Sequence, residues 1–456
     1  MPALGHFDHL DHLDRLADRL PELLAANDVP GAGLAVLAGD EIIEHAAGVL
    51  NTDTGVAATT DSIFQIGSIT KVWTATLAMQ LVDEGRLDLD APVREYLPGF
   101  RLRDDTAART VTVRQLATHT GGFDGDVVAP AEWGDQALGA FVDALGDVGQ
   151  IFPPGLMFSY SNLGYVVLGR LVEVLRGLPY DQCLRERLLA PLGIKHAAPT
   201  PWEAVMRRAA VGHVAGRPAP YYAPGRIEAP AGSVLAMRAR DLLTFVRMHL
   251  RDGLAGDGTR VLSQAGARLM RSPQVEQPDL GFTGNTRGLG WALYGWPGGP
   301  VIGHDGGTLG QNAYLRVVPE RGIAVALLTN GGHPARVYEE VVGGVLAGLA
   351  EVTPPPRPSP AADPRVRDAW RYTGVYANHL AETTVEQDAS GRLWMTIKPI
   401  GAATALLGAP EPVELLAFRG DTLLTAGEHT AVAFLGDDGQ GRAQYGHAGR
   451  AVRRVA

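Results

Sequence analysis

The sequence predicts an α+β protein: a large domain whose strands lie at both of its ends, followed by a small all-β domain. Three observations predict it. Strand-like stretches occur early, at "GAGLAVLAGD" and "EIIEHAAGVL", and return at "PVIGH", "QNAYLRVVP" and "GIAVALLTN". The region between them is rich in helical patterns, among them "TVRQLATHT", "LGYVVLGRLVEVLRG" and "ARDLLTFVRMHL". After the proline-rich "TPPPRPSPAADP", short apolar runs alternate with Ser-Gly, Gly-Asp and Asp-Gly turns, the pattern of a small antiparallel barrel or sandwich.

Taken in order, residues 8–26 read as an amphipathic helix with Leu10, Leu13, Leu16, Leu20, Leu23 and Leu24 on one stripe. A strand pair turns at Gly39-Asp40, and a helix begins after Ser68 and ends near Gly85. The helix "ARVYEEVVGGVLAGLAEV" closes the first domain. Strands on either side of a helical insertion imply one antiparallel sheet built from both ends of the domain, plus a mostly α subdomain. The boundaries expected are 1–352 for the first domain, 353–365 for a linker and 366–456 for the β domain.

Composition narrows the function classes. The chain has 456 residues, 46% hydrophobic and 20% charged, which is ordinary for a soluble globular protein. A net charge of −10 with no polybasic arm argues against nucleic-acid and anionic-membrane partners. Cys183 is the only cysteine, so no internal disulfide forms. The acidic, His-rich start lacks the basic and apolar segments of a secretory signal, and no run of eighteen apolar residues occurs; a cytoplasmic protein is expected.

The chemistry begins at "QIGSITKVWTATLAMQL". Lys71 is the only charged side chain between Ser68 and Gln80, and only three of the 40 basic residues are lysines. Arginine cannot lose its proton in a protein, whereas lysine can. Ser68 and Lys71, at i and i+3, share a helix face. Apolar surroundings and a helix N-terminus both disfavour the ammonium, leaving a base beside a nucleophile.

Two further pieces follow. "FSYSNLGY" leads Tyr160, Ser161 and Asn162 into a helix, where Ser161 or Asn162 also suits an N-cap. "GHDGGTLG" sets His304, Asp305, Gly306 and Gly307 at a strand end, where the glycines also suit a turn.

In order and spacing, the three pieces resemble the serine β-lactamase and penicillin-binding-protein family, which carries S-x-x-K, then Y-x-N or S-x-N, then K-T-G. The likeness is to its class C-like branch, covers about residues 10–350, and extends to "LATHTGGF", "APAGSVLAMRARDLLTF" and "VPERGIAVALLTN". It implies a β-lactamase/transpeptidase-like domain and an acyl-enzyme mechanism. Ser68 is then the nucleophile. Lys71 and Tyr160 move its proton, and Asn162 bonds the substrate amide or Lys71. The backbone N–H groups of Ser68 and Gly307 form the oxyanion hole. Asp305 and Gly306 join the substrate-binding strand. No metal or organic cofactor is required. The third motif departs from the family, because His304 replaces its lysine. A neutral imidazole can hydrogen-bond Tyr160 but holds a substrate carboxylate poorly, which favours esters, amides or thioesters.

Together with the β domain, this resembles the penicillin-binding-protein-type thioesterases, which have a lipocalin-like C-terminal domain and release nonribosomal peptides as head-to-tail macrocycles. The substrate expected is a peptidyl or acyl (thio)ester, delivered by a carrier-protein domain. A plain esterase or D-amino-acid amidase or peptidase uses the same residues. A non-catalytic binder of peptides or acyl groups is the alternative from another class. His6, His9 and His12 fit a solvated helix face better than a metal site. His119 is expected to shape a loop wall, and the aromatics of "WALYGW" suit cleft and core equally.

Overall fold

The computed structural model describes residues 18–280, 284, 286–400 and 411–456. Residues 18–26 are helical, while the rest of the expected N-terminal helix, with His6, His9 and His12, lies outside the described residues.

An antiparallel sheet of eight strands organises the first domain. The strands are β1 (Gly31–Ala38), β2 (Glu41–Gly48), β3 (Val275–Glu276), β4 (Thr286–Arg287), β5 (Ala292–Trp296), β6 (Gly299–Thr308), β7 (Gln311–Val318) and β8 (Ile323–Thr329). Their spatial order is β2-β1-β8-β7-β6-β5-β4-β3. The β1–β8 pairing, from Ala32 opposite Thr329 to Ala38 opposite Ile323, joins the two ends of the domain inside the sheet, with only β2 beyond it on that side. Both strands are near-continuous apolar runs and are buried almost throughout, as a strand covered on two faces must be.

Helices cover both faces. On one side α4 (Pro334–Ala350) and the helix at 18–26 pack through Val337, Val341, Val345, Leu20 and Leu24. On the other lie α1 (Thr70–Asp83), α2 (Asn162–Arg176) and α3 (Ala239–Leu250). Residues Thr70 to Leu81 of α1 are all buried, so α1 is a central helix rather than a surface one. Trp73 of α1 stacks on Phe245 of α3 at 3.9 Å between ring centroids.

Residues 351–361 form no helix or strand and lead to a closed antiparallel barrel. Its strands are β9 (Gly374–Ala377), β10 (Ala381–Gln387), β11 (Leu393–Pro399), β12 (Val413–Arg419), β13 (Thr422–Thr425), β14 (Ala431–Leu435), β15 (Tyr445–His447) and β16 (Ala451–Arg454). Each pairs with its neighbour in sequence, and β9 closes on β16 through Tyr376 opposite Arg454. Side chains fill the interior, among them Tyr376, Val385, Leu393, Leu415, Leu423 and Phe434.

The barrel is docked on the first domain beside Tyr160. The turn between β15 and β16 accepts a hydrogen bond from Tyr160 N at Gly449 O (3.0 Å), and Ala451 N donates to Ser159 Oγ (3.0 Å). His447 Nε2 donates to Phe158 O (2.8 Å), and Phe152 packs on Tyr445.

Candidate active site

Ser68 sits in a single 3₁₀ turn, Gly67–Ile69, that runs into α1. Strand β6 passes directly against this turn. Gly67 has φ +51°, and a Cβ there would collide with Gly307 N. A Cβ at Gly306 would collide with Ile66 O. Glycine at both positions therefore lets the strand and the nucleophile turn touch through their backbones. This contact sets Gly307 N beside the Ser68 turn, as an oxyanion hole shared by the two requires.

The Lys71 amine is fully buried. It lies 3.0 Å from Ser68 Oγ, 2.7 Å from Asn162 Oδ1 and 2.5 Å from Ala231 O. Burial holds its pKa below the usual lysine value, with Tyr160 acting in the opposite sense. A neutral amine donates two protons and accepts one. Asn162 Oδ1 and Ala231 O take the two donated bonds, so the lone pair is directed at the Ser68 hydroxyl. The arrangement fits a base poised to deprotonate the serine.

The second motif divides its labour between neighbours. Ser161 is the N-cap of α2, its Oγ accepting from Gly164 N, which leaves Asn162 at the first helical position to face Lys71. The Tyr160 ring centroid is 4.9 Å from Lys71 Nζ. His119 stacks on Tyr160 at 4.5 Å, and its Nδ1 accepts from Ser161 N (3.0 Å). The loop residue His119 is thus a platform under Tyr160.

In the third motif the strand alternation separates two neighbours. His304 faces the site, 6.2 Å from Tyr160 between ring centroids. Its Nδ1 lies 2.6 Å from Asp305 O, which can only accept, so the proton sits on Nδ1 and the buried Nε2 is an unpartnered acceptor. Burial, reinforced by Arg287 and Lys71, pushes the His304 pKa well below the usual histidine value and keeps it neutral. Asp305 turns to the opposite face of the sheet, where Arg316 holds its carboxylate at 2.5 Å and packs over Tyr294 and Trp296. The Asp305 side chain therefore faces away from Ser68, while its backbone stays in the strand that carries Gly306 and Gly307. The "WALYGW" aromatics Trp291, Tyr294 and Trp296 are buried core.

Sequence reasoning missed three residues. Asn162 Nδ2 donates to Asp126 Oδ1 (2.7 Å), and Asp126 in turn is paired with Arg450 of the barrel. The Arg450 guanidinium also lies 5.1 Å from the Tyr160 ring centroid. Glu228 lines the cavity of about 380 Å³ that contains Ser68, Asn162, Tyr222 and Gly307. Burial and the nearby Asp126 raise its carboxyl pKa. No motif marks any of the three, because their roles arise from contacts between distant segments. A larger cavity of about 500 Å³ lies at Trp133, Trp202 and Arg226, away from the Ser68 turn.

Residues 13–345 match the Beta-lactamase family. The chain belongs to the β-lactamase family. Serine-centred hydrolysis or acyl transfer is the chemistry typical of that superfamily. The chain is 46% identical over 377 residues to "Penicillin-binding protein 4" of Amycolatopsis lactamdurans, covering 81% of this chain and 98% of that protein. It is 27% identical to a "Beta-lactamase" of Pseudomonas fluorescens, over 72% of this chain and 96% of that one. Among solved structures, SurE with D-Leu aligns with a TM-score of 0.79 and 28% identity, covering 98% of this chain and all of that one.

Proposed function

We propose that this member of the β-lactamase family releases a peptidyl thioester by head-to-tail macrocyclisation through an acyl-enzyme on Ser68. The observation that carries the reading is the likeness to SurE with D-Leu, which extends over 98% of this chain and so takes in the barrel as well as the catalytic domain. A relative with both domains that holds a D-amino acid supports a D-residue at the acyl end of the substrate here.

The site's geometry supplies the steps. Ser68 Oγ attacks the thioester carbonyl and its proton passes to neutral Lys71. Ser68 N and Gly307 N stabilise the oxyanion. The C–S bond breaks, and the proton reaches the leaving sulfur through Lys71 and Tyr160. The peptide's own amine then attacks the acyl-serine, the C–Oγ bond breaks, and the amine's proton returns to Ser68 by the same route. Tethering raises the effective concentration of that amine over water. Glu228, on the cavity wall, is placed to accept a hydrogen bond from the incoming neutral amine. A carrier-protein domain would deliver the substrate.

Hydrolysis, by an esterase or by a D-amino-acid amidase or peptidase, is the second reading, and the likeness to the "Beta-lactamase" of Pseudomonas fluorescens supports a hydrolase. Mass spectrometry after incubation with linear peptidyl thioesters, L- or D-ended, separates the two. A cyclic product from the D-ended thioester, absent with Ser68→Ala, is expected. Linear acid as the sole product would replace cyclisation by hydrolysis, and unchanged substrate with no acyl adduct would reduce the protein to a binder.

A further inference from the structure

We infer that Asp126, clamped by Arg450 of the barrel, is a positioning residue that fixes which atom of Asn162 faces the catalytic base. The inference rests on the reading of Lys71 as that base. Asn162 stands between a donor and an acceptor. Its Oδ1 receives Lys71 Nζ at 2.7 Å, and its Nδ2 donates to Asp126 Oδ1 at 2.7 Å. A carboxylate accepts only, so a flipped amide would turn oxygen against Asp126 and N–H against the lysine amine. Asp126 therefore decides the amide orientation, and through it leaves the Lys71 lone pair for Ser68.

Asp126 is itself held from the other domain. Arg450 Nε pairs with its Oδ2, and Arg450 Nη2 lies 3.3 Å from its Oδ1. The same turn binds Tyr160 N through Gly449 O. The barrel thus reaches both motifs: it holds the Tyr160 backbone through Gly449 O, sets Arg450 5.1 Å from the Tyr160 ring centroid, and reaches Lys71 through Arg450, Asp126 and Asn162.

The charged and titratable groups around Lys71 come from several elements: Tyr160 and Tyr165 beside their shared helix start, Asp126 on its loop, and Arg450 on the barrel. Glu228 on the cavity wall, His119 and His304 complete the set. Asp126 favours the ammonium and Arg450 opposes it, so the two act on Lys71 with opposite sign.

The chain's three lysines make a direct test practicable. With ¹³Cε-labelled lysine, NMR follows the titration of Lys71 against Lys195 and Lys398. The expected result is a lower midpoint for Lys71 in Asp126→Asn, a higher one in Arg450→Gln, and an intermediate one in the double variant, the other two lysines unmoved. Acylation of Ser68 by a p-nitrophenyl ester should slow about 10- to 100-fold in Asp126→Asn, the scale of a misplaced catalytic group. A Lys71 midpoint unmoved by either single substitution, or an Asp126→Asn variant whose midpoint shifts while Ser68 acylates at the wild-type rate, would overturn the inference. The wild-type protein decides the underlying reading separately: if it forms no acyl adduct on Ser68, acyl transfer fails as the function, while the NMR titration still judges the positioning role.

Discussion

Lys71 shows at the scale of one side chain why the residue type matters more than its charge. It is buried, and two fixed acceptors, Asn162 Oδ1 and Ala231 O, leave the amine one position for Ser68. On the mechanism proposed above, arginine would keep a cation here and remove the base. Lys71→Arg should therefore slow acylation of Ser68 by about 10²- to 10⁴-fold, the usual worth of a general base, as measured by burst kinetics with an active ester. The pH dependence has a sign. Because burial lowers the Lys71 pKa, the wild-type rate should rise with pH as the ammonium deprotonates, over a range below that of an ordinary lysine. An acylation rate that falls on raising the pH through this range would contradict the assignment. Ser68 and Lys71 were legible in the sequence because helix geometry alone puts i and i+3 on one face. The face taken by the Asp305 side chain, opposite His304, follows from the strand period and its pairing with Arg316. Arg450 and Asp126 were invisible because a contact between barrel and loop leaves no periodic trace.

The nucleophile turn and β6 form a unit among the elements. Their contact depends on backbones that touch at Gly67 and Gly306. Gly67→Ala combines a collision at Gly307 N with φ +51°, where a side chain is strained. It should cost about 1–3 kcal/mol of stability and abolish Ser68 acylation by displacing the strand that carries Gly307 N, the donor proposed for the oxyanion. Gly295→Ala on β5, where a Cβ meets nothing, is the control and should leave both properties unchanged. Thermal melts and active-ester labelling of the two variants test this. The long apolar strands and the central helix could be anticipated from pattern, since burial on both faces enforces it. The two-residue strands β3 and β4 could not, because a pair so short has no period of its own and exists only as an extension of β5.

Four of the buried histidines among the described residues give the molecule an acid limit. Burial lowers the pKa of His119 and His304 well below the usual value, of His249 to about 3 and of His447 to about 4. Each remains neutral in the folded chain while its unfolded counterpart takes up a proton below about pH 6.5. The unfolded state then binds more protons, so stability falls with decreasing pH, by up to about 1.4 kcal/mol per unit for each group. Asp124, Glu173 and Glu228, whose pKa values are raised mainly by burial, act in the opposite sense nearer the carboxylate range. Urea denaturation should accordingly show stability declining from pH 6.5 towards 5. His447→Asn, which removes the titrating ring at the seam between the domains, should flatten that slope; an identical slope would exclude His447 as a contributor.

The packed barrel changes what its evolution can act on. Its interior is filled by its own side chains, so its chemical influence is exerted from the rim, through the turn at residues 448–450 between β15 and β16. Turns tolerate replacement far better than the strands that support them. Descendants of this chain can retune the catalytic centre by rewriting three residues on a foreign scaffold, with the Ser68 turn, its lysine and the sheet left untouched. Grafting that turn between homologues should change the rate of Ser68 acylation as a cassette.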